Sequence, residues 1–263
     1  MTVYSQAAQA AFAQPLTEEL LSAAGITPGM RVLVLGRDLA DLALLVAERV
    51  GRSGAVLGVN EHPKFIYEAR ERAAEEGFEC VEFRRAFLDE LEFDAPVDAV
   101  IGRFFLMNEP DPVRAIRAAA RNVHDGGRII FQEWHYDSVL WLDTSDWPNV
   151  PLYRHFARWS IESLRRRRAN VDVGLRLTNL FKEAGLPLPA VRTDLRVVHG
   201  SNALGYAFFE SALRELLPTI ERCGFAHAYD VEVDTFAERL ERETIAAGGH
   251  VFLPLQVGAW TRC

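Results

Sequence analysis

Gly29-Met30-Arg31-Val32-Leu33-Val34-Leu35-Gly36-Arg37-Asp38 opens a stretch that runs on through Leu39–Val50 to Gly51-Arg52-Ser53-Gly54-Ala55-Val56-Leu57-Gly58-Val59-Asn60. Arg31 to Leu35 is a short apolar run stopped by Gly36. Runs of that kind read as strands buried on both faces. From Asp38 to Val50 the apolar residues Leu39, Leu42, Leu45 and Val46 recur at helical spacing. Gly51-Arg52-Ser53-Gly54 is a turn, and Ala55 to Val59 is a second buried strand. A strand, a crossover helix and a strand make the nucleotide-binding half of a doubly wound α/β sheet.

Other apolar runs extend the alternation. His62-Pro63 opens a helix that reaches Gly77, and Cys80 to Phe83 reads as a third strand. Val97-Asp98-Ala99-Val100-Ile101-Gly102-Arg103 is a fourth. Asp111-Pro112 starts a helix over Val113 to Val123, closed by Asp125-Gly126-Gly127, and Arg128 to Glu133 is a fifth strand. A helix-rich insertion covers Asp137 to Gly185. A strand near Val191 to Val198, helices from Ala203 to Ala247 and a last strand over Val251 to Gly258 complete the pattern. At the front, Ala7 to Phe12 reads as helical, and Thr17-Glu18-Glu19 reads as the capped start of a second helix ending at Gly25.

Taken with its motifs, the chain resembles the class I S-adenosylmethionine (SAM)-dependent methyltransferases over nearly its whole length. The stretch from Arg31 to Asn60 is similar to their first two motifs. Asp98 to Gly102, followed by Phe104-Phe105-Leu106-Met107-Asn108-Glu109-Pro110-Asp111-Pro112, is similar to their fourth-strand motif and the Pro-Asp-Pro after it. The resemblance implies a Rossmann-like, seven-stranded, mostly parallel sheet with a helical cap. It implies one domain over 1–263: leading helices at 1–29, a nucleotide-binding half at 30–135, a lid at 136–186 and closing strands and helices at 187–263.

The same resemblance places the SAM contacts at Gly36, Asp38, Asn60, Phe87, Leu88 and Arg103, and at these positions the residues depart from the family pattern. Val34 stands where the first acid belongs, Asp38 and Ala40 where later loop glycines belong, Asn60 where the ribose acid belongs, and Phe87 where the adenine-binding Asp belongs. A Cβ obstructs positive φ and close backbone approach. A neutral amide accepts a hydrogen bond about half as strong as a carboxylate does. Arg103 has two readings: it binds a carboxylate, sulfate or phosphate of a ligand, or it pairs with Asp38 or Asp41 and fills the site.

Glu133-Trp134-His135-Tyr136 ends the fifth strand, where open α/β sheets bind ligands. His135 is the candidate general base, Glu133 its orienting partner or a substrate's, and Tyr136 and Arg103 complete the candidate catalytic group. The competing reading is a strand end satisfied by local hydrogen bonds. Trp141, Trp147, Tyr153, Phe156 and Trp159 read either as a lid over an apolar substrate or as packing of the insertion. Arg165 to Arg168 point in different directions on a helix and read as a solvated face. His124, His199, His227 and His250 show no metal spacing, and no metal is expected.

Composition narrows the classes further. The 263 residues are 49% hydrophobic and 25% charged, with a net charge of −8. No basic stripe is present, so nucleic acid is not an expected partner. Cys80, Cys223 and Cys263 have no ligand spacing and read as reduced thiols of a cytoplasmic protein; no segment reads as a signal or a membrane span. The expected partner is a small molecule, in an assembly compatible with a homodimer. Three functions compete. Loss of so many cofactor contacts favours a methyltransferase-fold enzyme of small-molecule metabolism doing non-methylating chemistry, such as cyclisation, elimination, hydrolysis or rearrangement. The alternatives are a SAM-dependent methyltransferase with a divergent site and a non-catalytic partner subunit.

Overall fold

The computed structural model describes residues 3–78, 80–91, 95–141 and 150–263. The elements run α1 (Val3–Ala23), β1 (Arg31–Gly36), α2 (Leu39–Val50), β2 (Ala55–Asn60), α3 (Pro63–Glu76), β3 (Val81–Arg85), β4 (Val97–Arg103), α4 (Pro112–Arg121) and β5 (Val123–His135). There follow α5 (Pro151–Arg166), α6 (Val173–Ala184), β6 (Ala190–Asp194), β7 (Val197–Val198), α7 (Ala203–Arg222), α8 (Ala228–Val231), α9 (Phe236–Ala246), β8 (Val251–Phe252) and β9 (Leu255–Arg262). Seven strands form one sheet in the order β3-β2-β1-β4-β5-β9-β6, and β7 pairs with β8 apart from it. The central pairs β2–β3, β1–β2, β1–β4 and β4–β5 are parallel. This is the α/β, Rossmann-like arrangement expected from the alternating apolar runs.

The chain divides into two compact units. One holds Pro15–Glu133, Val173–Thr193 and Val257–Cys263; the other holds Met1–Gln14, Trp134–Asp172 and Asp194–Gln256. The first unit's core is made by the stretch that decides the fold. Val32 and Val34 of β1, Leu39, Leu42, Val46 and Val50 of α2, and Leu16, Leu20 and Leu21 of α1 are all buried together. Each such side chain contributes on the order of 1.5–3 kcal/mol by leaving water. Val34 is thus a core residue. Ala40 lies inside α2 and is not part of the turn, which leaves Gly36 to Asp38 as the whole connection.

The second unit is built on aromatic packing among α5, α7 and α9. Phe156 and Phe209 meet edge to face with centroids 4.9 Å apart, and Tyr153 donates its hydroxyl hydrogen to the Phe252 carbonyl at 3.0 Å. Tyr153 and Phe156 therefore serve as core, whereas Trp159 is half-buried and stacks on His155. Trp147 lies outside the described residues. The arginine run closes α5: Arg165 pairs with Asp137, and Arg167 binds Thr219 and the Glu215 carbonyl.

Several boundaries differ from the sequence reading. α1 is one helix through Pro15, and Thr17 lies inside it with 0% exposure. Its hydroxyl does not cap a new helix, because it is engaged with Gln132 and Arg103. β5 starts at Val123, not Arg128, since Val123 pairs with Val97 before an irregularity that resumes at Ala99–Arg128. Val191 to Val198 is broken into β6 and β7, and the last strand into β8 and β9 around Pro254, which lacks the N–H a ladder needs. Among the described residues no helix is long and apolar enough to cross a membrane.

Candidate functional site

Gly36 sets the geometry of the first turn. Its φ is +145°, and a Cβ there would sit 2.4 Å from the Arg103 carbonyl oxygen. Only glycine lets β1 and β4 end this close together. Asp38 follows at the head of α2. It makes no side-chain cap for that helix, because its carboxylate is turned onto Arg103. Arg103 Nε donates to Asp38 Oδ2 at 2.7 Å, and Nη2 lies 2.6 Å from the same oxygen. The Arg103 side chain is 1% exposed and that of Asp38 12%. Arg103 Nη1 also donates to Thr17 Oγ1 at 3.2 Å, and Thr17 donates to Gln132 Oε1 at 2.7 Å. A buried polar chain, Asp38–Arg103–Thr17–Gln132, therefore crosses this end of the sheet. Of the two readings of Arg103, the structure shows the pairing with Asp38. Asp41 instead pairs with Arg72.

Asn60 is likewise committed. Its Nδ2 donates to the Gly36 carbonyl at 2.8 Å, and its Oδ1 accepts from the His62 N–H at 2.8 Å. The side chain ties the turn after β1 to the turn after β2. Glu133 is fully buried, and both its oxygens face backbone. Oε1 accepts from the N–H groups of Phe105 at 2.9 Å and Leu106 at 2.7 Å, and Oε2 from that of Met107 at 3.3 Å. Burial pushes its carboxyl up to about 8, against the pull of the three N–H donors toward the charged form. Glu133 thus fastens the turn Leu106–Asn108 that follows β4. The residue between, Phe104, has φ +52°, a costly conformation for a side chain with a Cβ. Its N–H donates to Gln132 and its carbonyl accepts from Asn108 Nδ2.

A cavity of about 690 Å³ opens beyond the carboxyl ends of β1, β2, β3 and β4, lined by Gly36, Asn60, Phe87 and Leu88 among others. Four of the six expected cofactor positions therefore meet at one cavity; Asp38 and Arg103 do not line it. Phe87 is 51% exposed there. The sequence reading gave no role to three acids of the wall, Glu61, Asp89 and Glu109. Glu61 stands one residue past Asn60, and Glu109 follows the Leu106–Asn108 turn. Burial, then the carboxylates of Glu61 and Asp89, push Glu109 up to about 6. An acid beside the expected ribose position was a readable signal for Glu61; nothing local marked Glu109, Thr17 or Gln132.

His135 and Tyr136 belong to the second unit. His135 Nδ1 lies 3.1 Å from the Asp172 carbonyl oxygen, the Ser138 hydroxyl donates to the His135 carbonyl at 2.6 Å, and the Tyr136 N–H donates to Val171 at 2.8 Å. His135 is 6% exposed. Glu133 and His135 are two residues apart in sequence and belong to different units, and their side chains bind different backbone groups.

Tested against SAM, the residues do not fit. The family uses glycines, a ribose-binding acid and an adenine-binding acid. Here Asp38 Oδ2 is held by Arg103, one donor and one acceptor of Asn60 are engaged with backbone, and Phe87 offers no acceptor. Among the described residues no group of three or more His, Cys, Asp or Glu side chains is placed to hold a metal.

The parallel sheet, the Gly36 turn and the cavity beyond the strand ends define a methyltransferase-type α/β protein. The chain belongs to the family described as a methyltransferase domain, which its residues 26–168 match. Several of its relatives are named as small-molecule methyltransferases. It is 30% identical to the aklanonic acid methyltransferase of a Streptomyces species over 59% of this chain and 74% of that protein. It is 33% identical to the arsenite methyltransferase of Halobacterium salinarum over 42% of this chain and 28% of that protein. A protein from a transposon of Streptomyces fradiae, without assigned activity, is 28% identical over 65% of this chain and 48% of its own length. The chain thus spans less than half the length of two of these three. Among solved structures, YcgJ of Bacillus subtilis aligns with a TM-score of 0.55 at 14% identity, over 95% of this chain and 99% of that one. The [4+2]-cyclase SpnF aligns at 0.53 and 18% identity, over 95% and 81%. These likenesses show the fold.

Proposed function

We propose that this protein is an enzyme of small-molecule metabolism that uses the methyltransferase fold for chemistry without a methyl donor, of the cyclisation, elimination, hydrolysis or rearrangement type. The observation that carries the reading is the buried Asp38–Arg103 pair, supported by the double commitment of Asn60. Asp38 Oδ2 and the Arg103 guanidinium hold one another where a zwitterionic, ribose-bearing cofactor would lie, while Asp38 Oδ1 and Arg103 Nη2 are buried without a hydrogen bond of their own among the described residues. That a protein named as a [4+2]-cyclase shares the fold is in keeping with this reading. His135 is the proposed general base. A carbonyl oxygen only accepts, so the contact with Asp172 requires Nδ1–H, and in the neutral ring the lone pair is then on Nε2. The ligand is a small molecule. Separately, the other unit carries the cavity beside Phe87 and Glu61, which is of a size that holds a small molecule.

A second reading, a SAM-dependent small-molecule methyltransferase, is favoured by that same cavity and by Glu61 beside Asn60. The two are separated by the variant carrying Asp38→Gly and Asn60→Asp. It releases Arg103 and restores an acid at the end of β2. On the first reading it gains S-adenosylhomocysteine binding in equilibrium dialysis where the native chain has none. Tight binding by the native chain, lost in the variant, would reject it.

A further inference from the structure

Trp141 is a large apolar side chain left 53% exposed, and its ring lies over His135, with centroids 5.1 Å apart and planes tilted by 47°. Both residues are held by the turn Tyr136–Leu140. The Trp141 N–H donates to the Ser138 carbonyl at 3.1 Å. The Ser138 hydroxyl donates to the His135 carbonyl at 2.6 Å and accepts from the Leu255 N–H at 2.8 Å. With Nδ1–H on Asp172, the imidazole is fixed in ring plane and tautomer. Among the described residues His135 Nε2 has no hydrogen-bond partner. An imidazole with one committed nitrogen and one available lone pair therefore stands against an exposed indole.

We infer that Trp141 and His135 Nε2 together form the recognition site for a flat conjugated substrate bearing an acidic hydroxyl, a phenol or an enol. This rests on the reading of His135 as a base. The indole offers a face on which a planar ring stacks, and a flat conjugated system gains most from it. Imidazole takes a proton readily only from a group of comparable acidity, which selects phenols and enols over aliphatic alcohols. The ligand O–H bond breaks, an Nε2–H bond forms, and the electron pair stays on the ligand oxygen as phenolate or enolate. The resulting imidazolium lies within the 6 Å or so at which an aromatic face attracts a cation, and the Asp172 carbonyl accepts from its other N–H.

The test uses 7-hydroxycoumarin, whose neutral and anionic forms absorb differently, and 7-methoxycoumarin, which has no proton to give. The native protein should bind both and raise the anionic fraction of the first. Trp141→Ala should weaken both by about tenfold, while Trp141→Phe retains most of the affinity. His135→Gln should weaken 7-hydroxycoumarin more than 7-methoxycoumarin and abolish the anion signature. Native-level binding by Trp141→Ala, or no binding of either coumarin by the native protein, overturns the recognition site. An anion signature that survives His135→Gln overturns the base. Neither outcome depends on whether the chain binds S-adenosylhomocysteine, so the proposed absence of methyl transfer stands or falls separately.

Discussion

Removing the Asp38 carboxylate should expose how much the fold depends on it. Asp38→Ala leaves the Arg103 guanidinium, whose side chain is 1% exposed, with one remaining side-chain partner, Thr17 Oγ1 at 3.2 Å. Breaking a buried pair on one side costs about 3–5 kcal/mol, because the surviving charge is uncompensated. Asp38 keeps some contact with water, which favours the lower end, about 3 kcal/mol. At roughly 2–4 °C per kcal/mol for a chain of this size, that is a fall in Tm of roughly 6–12 °C. Asp38→Ala with Arg103→Met removes both charges and should recover most of the loss, since apolar replacement of a buried pair is often neutral or stabilising. Urea unfolding followed by circular dichroism and by tryptophan fluorescence gives the comparison. A cost below about 1 kcal/mol for Asp38→Ala, or a double variant no better than the single one, would refute the pairing.

Three further changes have defined outcomes. Glu133→Gln keeps the oxygen that accepts from Phe105 and Leu106 and loses only the longer contact with Met107; the cost in acid should be about 1–2 kcal/mol. Because burial raises the Glu133 carboxyl from 4.5 to about 8, the native state holds a proton that the unfolded chain releases. Its contribution to stability is greatest below pH 4.5 and is lost as pH rises toward 8, so the glutamine variant gains on the native chain across that window; parallel urea midpoints at pH 5 and 8 would contradict it. Glu109→Gln should behave in the same direction between 4.5 and about 6, more weakly because Glu109 is only half-buried, and thermal melts across that range decide it. Gly36→Ala places a Cβ 2.4 Å from the Arg103 carbonyl, and a loss of roughly 1–3 kcal/mol is expected; a melting temperature within a degree of native would mean that the turn relaxes freely.

The order of strands and helices was legible because its signals are local. Val32 to Leu35 and Val97 to Ile101 declare buried strands by composition, and Asp111 caps α4 through the Arg114 N–H as its Asp-Pro sequence suggests. Thr17 misled because its surroundings, acids after a small polar residue, imitate a helix start, while its real partners lie 86 and 115 residues away. The strand irregularity at Val97–Ala99 hid the true start of β5. At the site, the residues themselves were readable but their engagements were not. Whether Arg103 faces a ligand or Asp38 depends on a contact across 65 residues. Glu133 looked chemical because it is a carboxylate at a strand end. Its three partners are backbone N–H groups, which no sequence pattern advertises.

The central claim is that residues at the expected SAM positions are engaged within the chain, Asp38 with Arg103 and Asn60 with backbone. Titration calorimetry of the native protein with S-adenosylhomocysteine, after mass spectrometry has shown what copurifies, tests it most directly. The account predicts no saturable heat up to millimolar ligand and no adenosyl compound in the purified protein. A micromolar Kd, or SAM carried through purification, would contradict it and return the protein to methyl transfer.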